Sequence, residues 1–446
     1  MGIEELYRIF TGCGAVTTDS RHCPPGSLFI ALKGPTFDGN AFAAAALASG
    51  CAWAVVDNPA YARGEHTILV DNGLTTLQTL AHRHRRTLAT PVIAVTGTNG
   101  KTTTKELAAA VLGKKYDTLY TYGNLNNDIG VPQTLLRLRR EHAAAVVEMG
   151  ASHPGDIRTL VDIIEPDYGL ITNVGRAHLQ GFGSFEGVLH TKGELYDYLR
   201  SKPQSVTFIN AADNALRSIS DGLPHKVYYS AGRAGGNGVG GVPGMEAAVT
   251  GRVTAQDPYL RFRWRTCLPD GRDAAYDVKT QMVGAYNIDN MLAAITIGVR
   301  FGVDNADICD AIERYKPGNN RSQLVTTADN TLVVDAYNAN PTSMAAAIDN
   351  FAVMTAANKM AILGDMAELG AASAAEHEGV IRLLVKHKIN NVWLVGGEFR
   401  RVSSPFRSFA DKDEVKEELA RHPLKGFCIL LKGSHSVGLD SLVGLL

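Results

Sequence analysis

The sequence predicts an α/β protein of three domains, and three observations carry that expectation. The chain has 446 residues, enough for two to four domains of ordinary size. Short apolar runs recur along it between stretches of helical spacing, the pattern of parallel sheets covered by helices. Two breaks, Thr90-Pro91 and Pro317-Gly318-Asn319-Asn320, interrupt that alternation. The expected domains are a small N-terminal α/β unit over 1–89, a central parallel-sheet unit over 90–316 and a C-terminal Rossmann-like unit over 317–446.

From residue 26 to 89, the runs 27–32 (SLFIAL), 52–57 (AWAVVD) and 66–71 (HTILVD) read as strands, with an alanine-rich helix over 40–50. The next helix ends in the basic run 82–86, whose charges suit a solvated helix C-terminus. In the central stretch, 92–96 (VIAVT), 116–122, 144–148 (AAVVE) and 168–173 (YGLITN) read as strands, continuously apolar where both sheet faces are covered. Seven glycines between 232 and 244 read as a loop, and 253–278 as antiparallel hairpins appended to this sheet. Helical spacing returns over 287–314. Beyond the second break, 332–335, 360–363, 392–395 and 428–431 read as strands, with helices between the later ones. The turn 363–370 is expected to shape that domain and not to take part in chemistry.

Composition narrows the function classes without choosing one. Apolar residues make up 45% of the chain and charged residues 20%, a globular balance. Lys and Arg total 44 against 45 Asp and Glu, so no global basic field draws in nucleic acid, and no such partner is expected. Six cysteines are scattered without a C-x-x-C pair, which argues against a zinc site or disulfide framework and fits a reducing cytoplasm. The N-terminal residues show no basic stretch followed by an apolar core, so no signal peptide is expected. The most apolar long stretch, 41–56, contains Ser49 and Gly50 and is too short to span a bilayer.

The strand 92–96 runs into Gly97-Thr98-Asn99-Gly100-Lys101-Thr102-Thr103-Thr104 and then a helix. Glycines let backbone N–H groups approach phosphate oxygens, and the helix N-terminus adds a positive dipole end. Lys101 can reach β- and γ-phosphates, and the Thr102 hydroxyl can ligate Mg²⁺. Val95 stands where the longer motif has its first glycine, so this is a shortened G-x-x-G-K-T loop. It points to a nucleoside triphosphate but leaves switch, kinase and ligase open. Glu148 ends the strand 144–148, where a sheet presents ligands at its carboxyl edge. His178 follows the next strand, and Lys192 lies in a helix. Singly, these three are ordinary residues.

Together they belong to a set of blocks: GTNGKTTTKE, YGNLNNDIGVP, VVEMGAS, NVGRAHLQGFGSFEGVLHTKGELY, DAYNANPTSM and ILGDMAELG. In order and spacing the set closely resembles the Mur ligases of bacterial peptidoglycan synthesis, from Asp19-Ser20-Arg21 to Lys432-Gly433-Ser434. The resemblance implies an ATP-dependent, ADP-forming amide ligase that joins D-alanyl-D-alanine to UDP-N-acetylmuramoyl-tripeptide through an acyl phosphate, as a cytoplasmic monomer with ATP and two Mg²⁺ ions. The nearest alternatives are a Mur-type or folylpolyglutamate-type ligase of other specificity, and a nucleotide-dependent switch that forms no bond.

By the same resemblance, Lys101, Glu148, His178 and Lys192 form the catalytic set. Thr102, Glu148, His178 and Lys192, the last as a carbamate, hold metal. Gly97, Thr98, Asn99, Gly100, Lys101, Thr102 and Thr103 cradle the ATP phosphates, Asn287 and Asn290 match the adenine site, and Arg321, Asp335 and Asn338 reach ATP from the C-terminal domain. Asn126 and Asn127 match the loop near the muramoyl peptide, and Ser20, Arg21 and Lys33 match contacts to the UDP end. Three positions depart from the family pattern: Tyr286 for a usual His, Asn320 for a usual Gly, and His435 for a usual Arg.

Overall fold

Runs of Val, Ile and Ala that cannot face water on either side build the interior strands, and helices cover both their faces. The computed structural model describes residues 1–232, 247–266, 274–318 and 320–446. Most of the glycine-rich 232–244 stretch, Cys267 and Asn319 of the second break lie outside the described residues.

The first sheet has four parallel strands in the order Val16–Thr17, Leu28–Ile30, Trp53–Val56 and Thr67–Leu69. The helix Gly73–Thr87 follows, capped by the Asn72 side chain, which accepts from Thr75 N. Its basic end is only partly a solvated face, since Arg86 is exposed but Arg85 is not. Arg85 is buried; its Nε donates to Ile164 O at 3.0 Å, and its Nη2 to Glu165 O at 3.1 Å and to Asp167 Oδ2 at 2.9 Å. These acceptors belong to the end of the helix Asp156–Ile164 and the turn after it, so the arginine satisfies the orphan carbonyls of that terminus. The apolar core is continuous here, running from Leu6, Leu28 and Leu77 to Val92, Val131 and Leu160.

The second sheet has nine strands. Seven are parallel, in the order Thr118–Tyr120, Ala144–Glu148, Val92–Thr96, Tyr168–Ile171, Val206–Asn210, His225–Ala231 and Ala247–Ala255. Arg261–Thr266 and Ala275–Lys279 then continue it antiparallel. On this edge burial alternates: Phe262 and Trp264 are buried while Arg263 and Arg265 are exposed, the one-face-wet pattern of antiparallel strands. After Val92–Thr96 the chain builds first to one side and then, with Tyr168–Ile171, to the other. The carboxyl end of Val92–Thr96 is therefore a topological switch point, where open α/β sheets bind ligands.

The third sheet pairs Gln323–Thr326 antiparallel with Thr331–Asp335, then adds the parallel strands Cys428–Lys432, Lys359–Gly364, Val392–Val395 and Arg407–Phe409. Asp335 and Lys432 are register partners at the carboxyl edge. The carboxyl edges of the second and third sheets line one cleft.

Candidate active site

The glycine loop leaves Val92–Thr96 and enters the helix Lys101–Leu112. Gly97 and Gly100 have φ of +141° and +80°, and a Cβ would lie 2.0 Å from Thr172 Oγ1 or 2.3 Å from Asn290 Oδ1. No larger residue fits either position. Lys101 Nζ donates to Gly97 O at 2.8 Å and Thr98 O at 3.0 Å, so it folds back over its own loop. Burial pushes its ammonium down to about 8, against the pull of Glu148 and with the help of Arg321.

Glu148 ends its strand with its carboxylate facing this loop. Thr102 Oγ1 donates to Glu148 Oε1 at 3.1 Å and Asn126 Nδ2 to the same oxygen at 2.8 Å. Glu148 Oε2 is buried without a partner. An orphaned carboxylate oxygen beside a threonine hydroxyl fits a hard divalent cation. Among the described residues, no three His, Cys, Asp or Glu side chains form a protein-only cage. An ion here would complete its shell with water and substrate phosphate, as Mg²⁺ does.

His178 lies at the start of the short helix Leu179–Phe182 with φ +51°, and its Nδ1 contacts Glu368 Oε2 of the third sheet's loops. Burial lowers the His178 pKa, while Glu368 raises it. Lys192 sits behind the cleft wall on the helix Phe185–Arg200, buried, with Nζ 3.5 Å from Ala151 O and 5.5 Å from the centroid of the Phe182 ring. Burial, with Lys101 adding repulsion, drives its pKa well below that of an ordinary lysine. A neutral amine is the form that reacts with CO₂ to give a carbamate.

Asn290 Oδ1 accepts from Thr104 Oγ1 at 3.1 Å and Asn290 Nδ2 donates to Asn287 Oδ1 at 3.0 Å, which sets both amides beside Gly100. Just before the third sheet's strand Gln323–Thr326, Arg321 lies 3.9 Å over the Tyr337 ring and its Nε is buried without a hydrogen-bond partner. Asn320 and Ser322 on either side have φ of +55° and +46°. Asn320 thus replaces the family's usual glycine with the side chain that best tolerates this conformation. Tyr286, the second departure, bridges to Ser322 Oγ at 2.9 Å, and His435, the third, stacks on Tyr337. Asp335 accepts from Lys432 Nζ at 2.6 Å, and Lys432 also reaches Asn338 O at 3.1 Å.

The cleft has a volume of about 950 Å³. It gathers most of the expected phosphate-loop, metal and C-terminal-domain residues with Asn126 and Asn127. Asn127 also holds the turn that leads into the helix Gly130–Leu135, its Oδ1 accepting from Gly130 N at 2.8 Å. Ser20, Arg21 and Lys33 do not line it. They lie in the first sheet's loops, where Arg21 pairs with Asp19 and Lys33 with Asp57, each at 2.9 Å. Lys432, Asn340 and Glu368 have no role legible in the sequence alone. Lys432 lay in a recognised block without a role, and Asn340 pairs with Asn99 across the cleft at 2.8 Å. Glu368 falls in the 363–370 turn, expected to be purely architectural.

Three family domains match in order: the Mur ligase family catalytic domain over 14–85, the Mur ligase middle domain over 95–298 and the Mur ligase glutamate ligase domain over 320–435. The chain is 36% identical over 436 residues to the UDP-N-acetylmuramoyl-tripeptide–D-alanyl-D-alanine ligase of Escherichia coli, covering 96% of this chain and 92% of that one. The chain belongs to the Mur ligase family. The ligase of the same name from Treponema pallidum is 34% identical, covering 98% of this chain and 94% of the relative. Among solved Mur ligases, MurF from Acinetobacter baumannii superposes with a TM-score of 0.84 at 29% identity, over 99% and 97% of the two chains. The MurF ligase of Thermotoga maritima in complex with ADP gives 0.83 at 25% identity, over 98% and 97%.

Proposed function

We propose that this Mur ligase joins D-alanyl-D-alanine to UDP-N-acetylmuramoyl-tripeptide in peptidoglycan precursor synthesis, with conversion of ATP to ADP. The convergence of the glycine loop, Glu148, His178 and the Arg321–Asp335 edge on one cleft is the observation that carries this reading. A carboxylate repels an amine nucleophile and has no good leaving group. Transfer of the γ-phosphoryl group gives an acyl phosphate, and attack by the dipeptide amine then expels phosphate and leaves the amide.

In this reading, residues 1–89 hold the UDP end through Ser20, Arg21 and Lys33, residues 90–316 phosphorylate, and residues 317–446 close over ATP. Loop N–H groups at residues 97–103 and Lys101 cradle the phosphates. Asn287 and Asn290 hold the adenine, and Asn126 and Asn127 position the peptide carboxylate. Arg321 brings positive charge to the transferring group, and Asp335 with Asn338 fixes the nucleotide from the closing domain. Thr102, Glu148, His178 and a carbamylated Lys192 would hold two Mg²⁺ ions, which supply charge neutralisation at the transferring phosphoryl group when bound. The enzyme acts as a cytoplasmic monomer.

A substrate panel tests the assignment. Phosphate release from ATP and Mg²⁺ should require both the UDP-tripeptide and D-alanyl-D-alanine. Turnover with a single amino acid in place of the dipeptide would assign the chain to another ligase specificity. Nucleotide binding without amide product would make it a switch.

A further inference from the structure

His178 and Glu368 meet across the interface of the second and third sheets, and both are held in unusual backbone. Among the described residues, six non-glycine side chains adopt positive φ, and His178 at +51° and Glu368 at +61° are two of them. For a residue with a Cβ this conformation is strained, and it persists where surrounding structure imposes it. The interface supplies that structure. Gln180 N donates to Glu368 O at 3.1 Å, and Arg176 Nη1 donates to Glu376 Oε1 at 2.9 Å. Two turns are thus pinned so that Glu368 Oε2 addresses His178 Nδ1.

That contact has a chemical consequence. A carboxylate on Nδ1 fixes the proton there and leaves the Nε2 lone pair free. A metal-ligating imidazole commonly donates its other N–H to a carboxylate or carbonyl, which sets the ring's angle and raises its donor strength. Here the ring belongs to the central domain and the carboxylate to the C-terminal domain. We propose that Glu368 is a positioning residue for the metal-ligating His178, supplied by the C-terminal domain, so that His178 becomes a fully oriented ligand only when that domain is docked. The proposal rests on the reading of His178 as a metal ligand given above.

Mn²⁺ binding, followed by electron paramagnetic resonance in the presence of the β,γ-methylene analogue of ATP, tests this without turnover. Wild type should take up two ions. Glu368→Ala should weaken the second ion roughly 10- to 100-fold while the first ion and the nucleotide analogue bind as in wild type. Glu368→Gln, whose carbonyl still accepts from Nδ1–H, should lose less. His178→Ala should lose the second ion altogether. Wild-type Mn²⁺ affinity in Glu368→Ala, beside a loss in His178→Ala, would overturn the positioning role alone. Wild-type affinity in His178→Ala would overturn the metal reading itself, and the proposal with it. Equal loss of both ions and of the nucleotide analogue in Glu368→Ala would assign the pair to domain docking and also overturn it.

Discussion

At the scale of single residues, burial decides the chemistry. Among the described residues Lys192 has no carboxylate in hydrogen-bond reach, and it lies against Phe182 and Ala151 O, so its charged form is disfavoured. Carbamylation would convert it into an anionic ligand suited to a cation. Lys192→Ala should lower turnover by about 100-fold or more, with partial rescue by acetate; full activity in the variant would remove the carbamate. Asp289 is a second case. Its Oδ1 is buried without a partner, and burial raises its carboxyl from 3.8 to about 6. An acid raised in the folded state adds stability at low pH that is lost as pH climbs through about 6. Asp289→Asn does not titrate, so its stability relative to wild type should improve by about 2–3 kcal/mol between pH 4 and 7. Denaturant unfolding at the two pH values measures this, and a constant difference would contradict it. Neither pattern is visible in sequence, because a lysine in HTKGE or an aspartate in NIDN reads as an ordinary helix-surface residue.

Elements tell a more legible story. The strands Val92–Thr96 and Ala144–Glu148 read correctly because they are buried at every position. Val16–Thr17 and Arg407–Phe409 did not, since strands of two and three residues at sheet edges carry no period to detect. His225–Ala231 was hidden for another reason: its first two residues are exposed and only Tyr229 and Ser230 are buried, so it shows neither alternation nor a continuous apolar run. The glycine loop read well because its constraint is local. Gly100→Ala would place a Cβ 2.3 Å from Asn290 Oδ1 at a φ of +80°. ADP affinity should fall about 5- to 30-fold from a conformational cost of about 1–2 kcal/mol, and further from the clash. Calorimetric titration that found unchanged affinity would show that the loop does not need its observed path.

On the scale of the whole molecule, the sheets were expected and their joints were not. The basic run at 82–86 shows why. Its charges all look solvated, and Arg86 is, but the fold brings Asp156–Ile164 against Arg85, which serves as a buried staple between the first two sheets. Arg85→Ala should cost about 2–3 kcal/mol in denaturant unfolding, from lost charge-assisted bonds and orphaned carbonyls; a change under about 0.5 kcal/mol, the ordinary surface range, would contradict the staple. The Asn99–Asn340, Tyr286–Ser322 and His178–Glu368 contacts likewise join residues far apart in the chain. The joined cleft fits a chain of net charge −1 to the proposed polyanionic substrate: loop N–H groups with Lys101 and Arg321 stand in for a basic surface. In the proposed reaction the cleft passes the γ-phosphoryl group to a carboxylate before the amine attacks. UDP-N-acetylmuramoyl-tripeptide labelled with ¹⁸O in its terminal carboxylate tests it directly. Turnover with ATP and D-alanyl-D-alanine should deliver one ¹⁸O into each inorganic phosphate released, read by mass spectrometry; phosphate free of label would contradict the acyl phosphate.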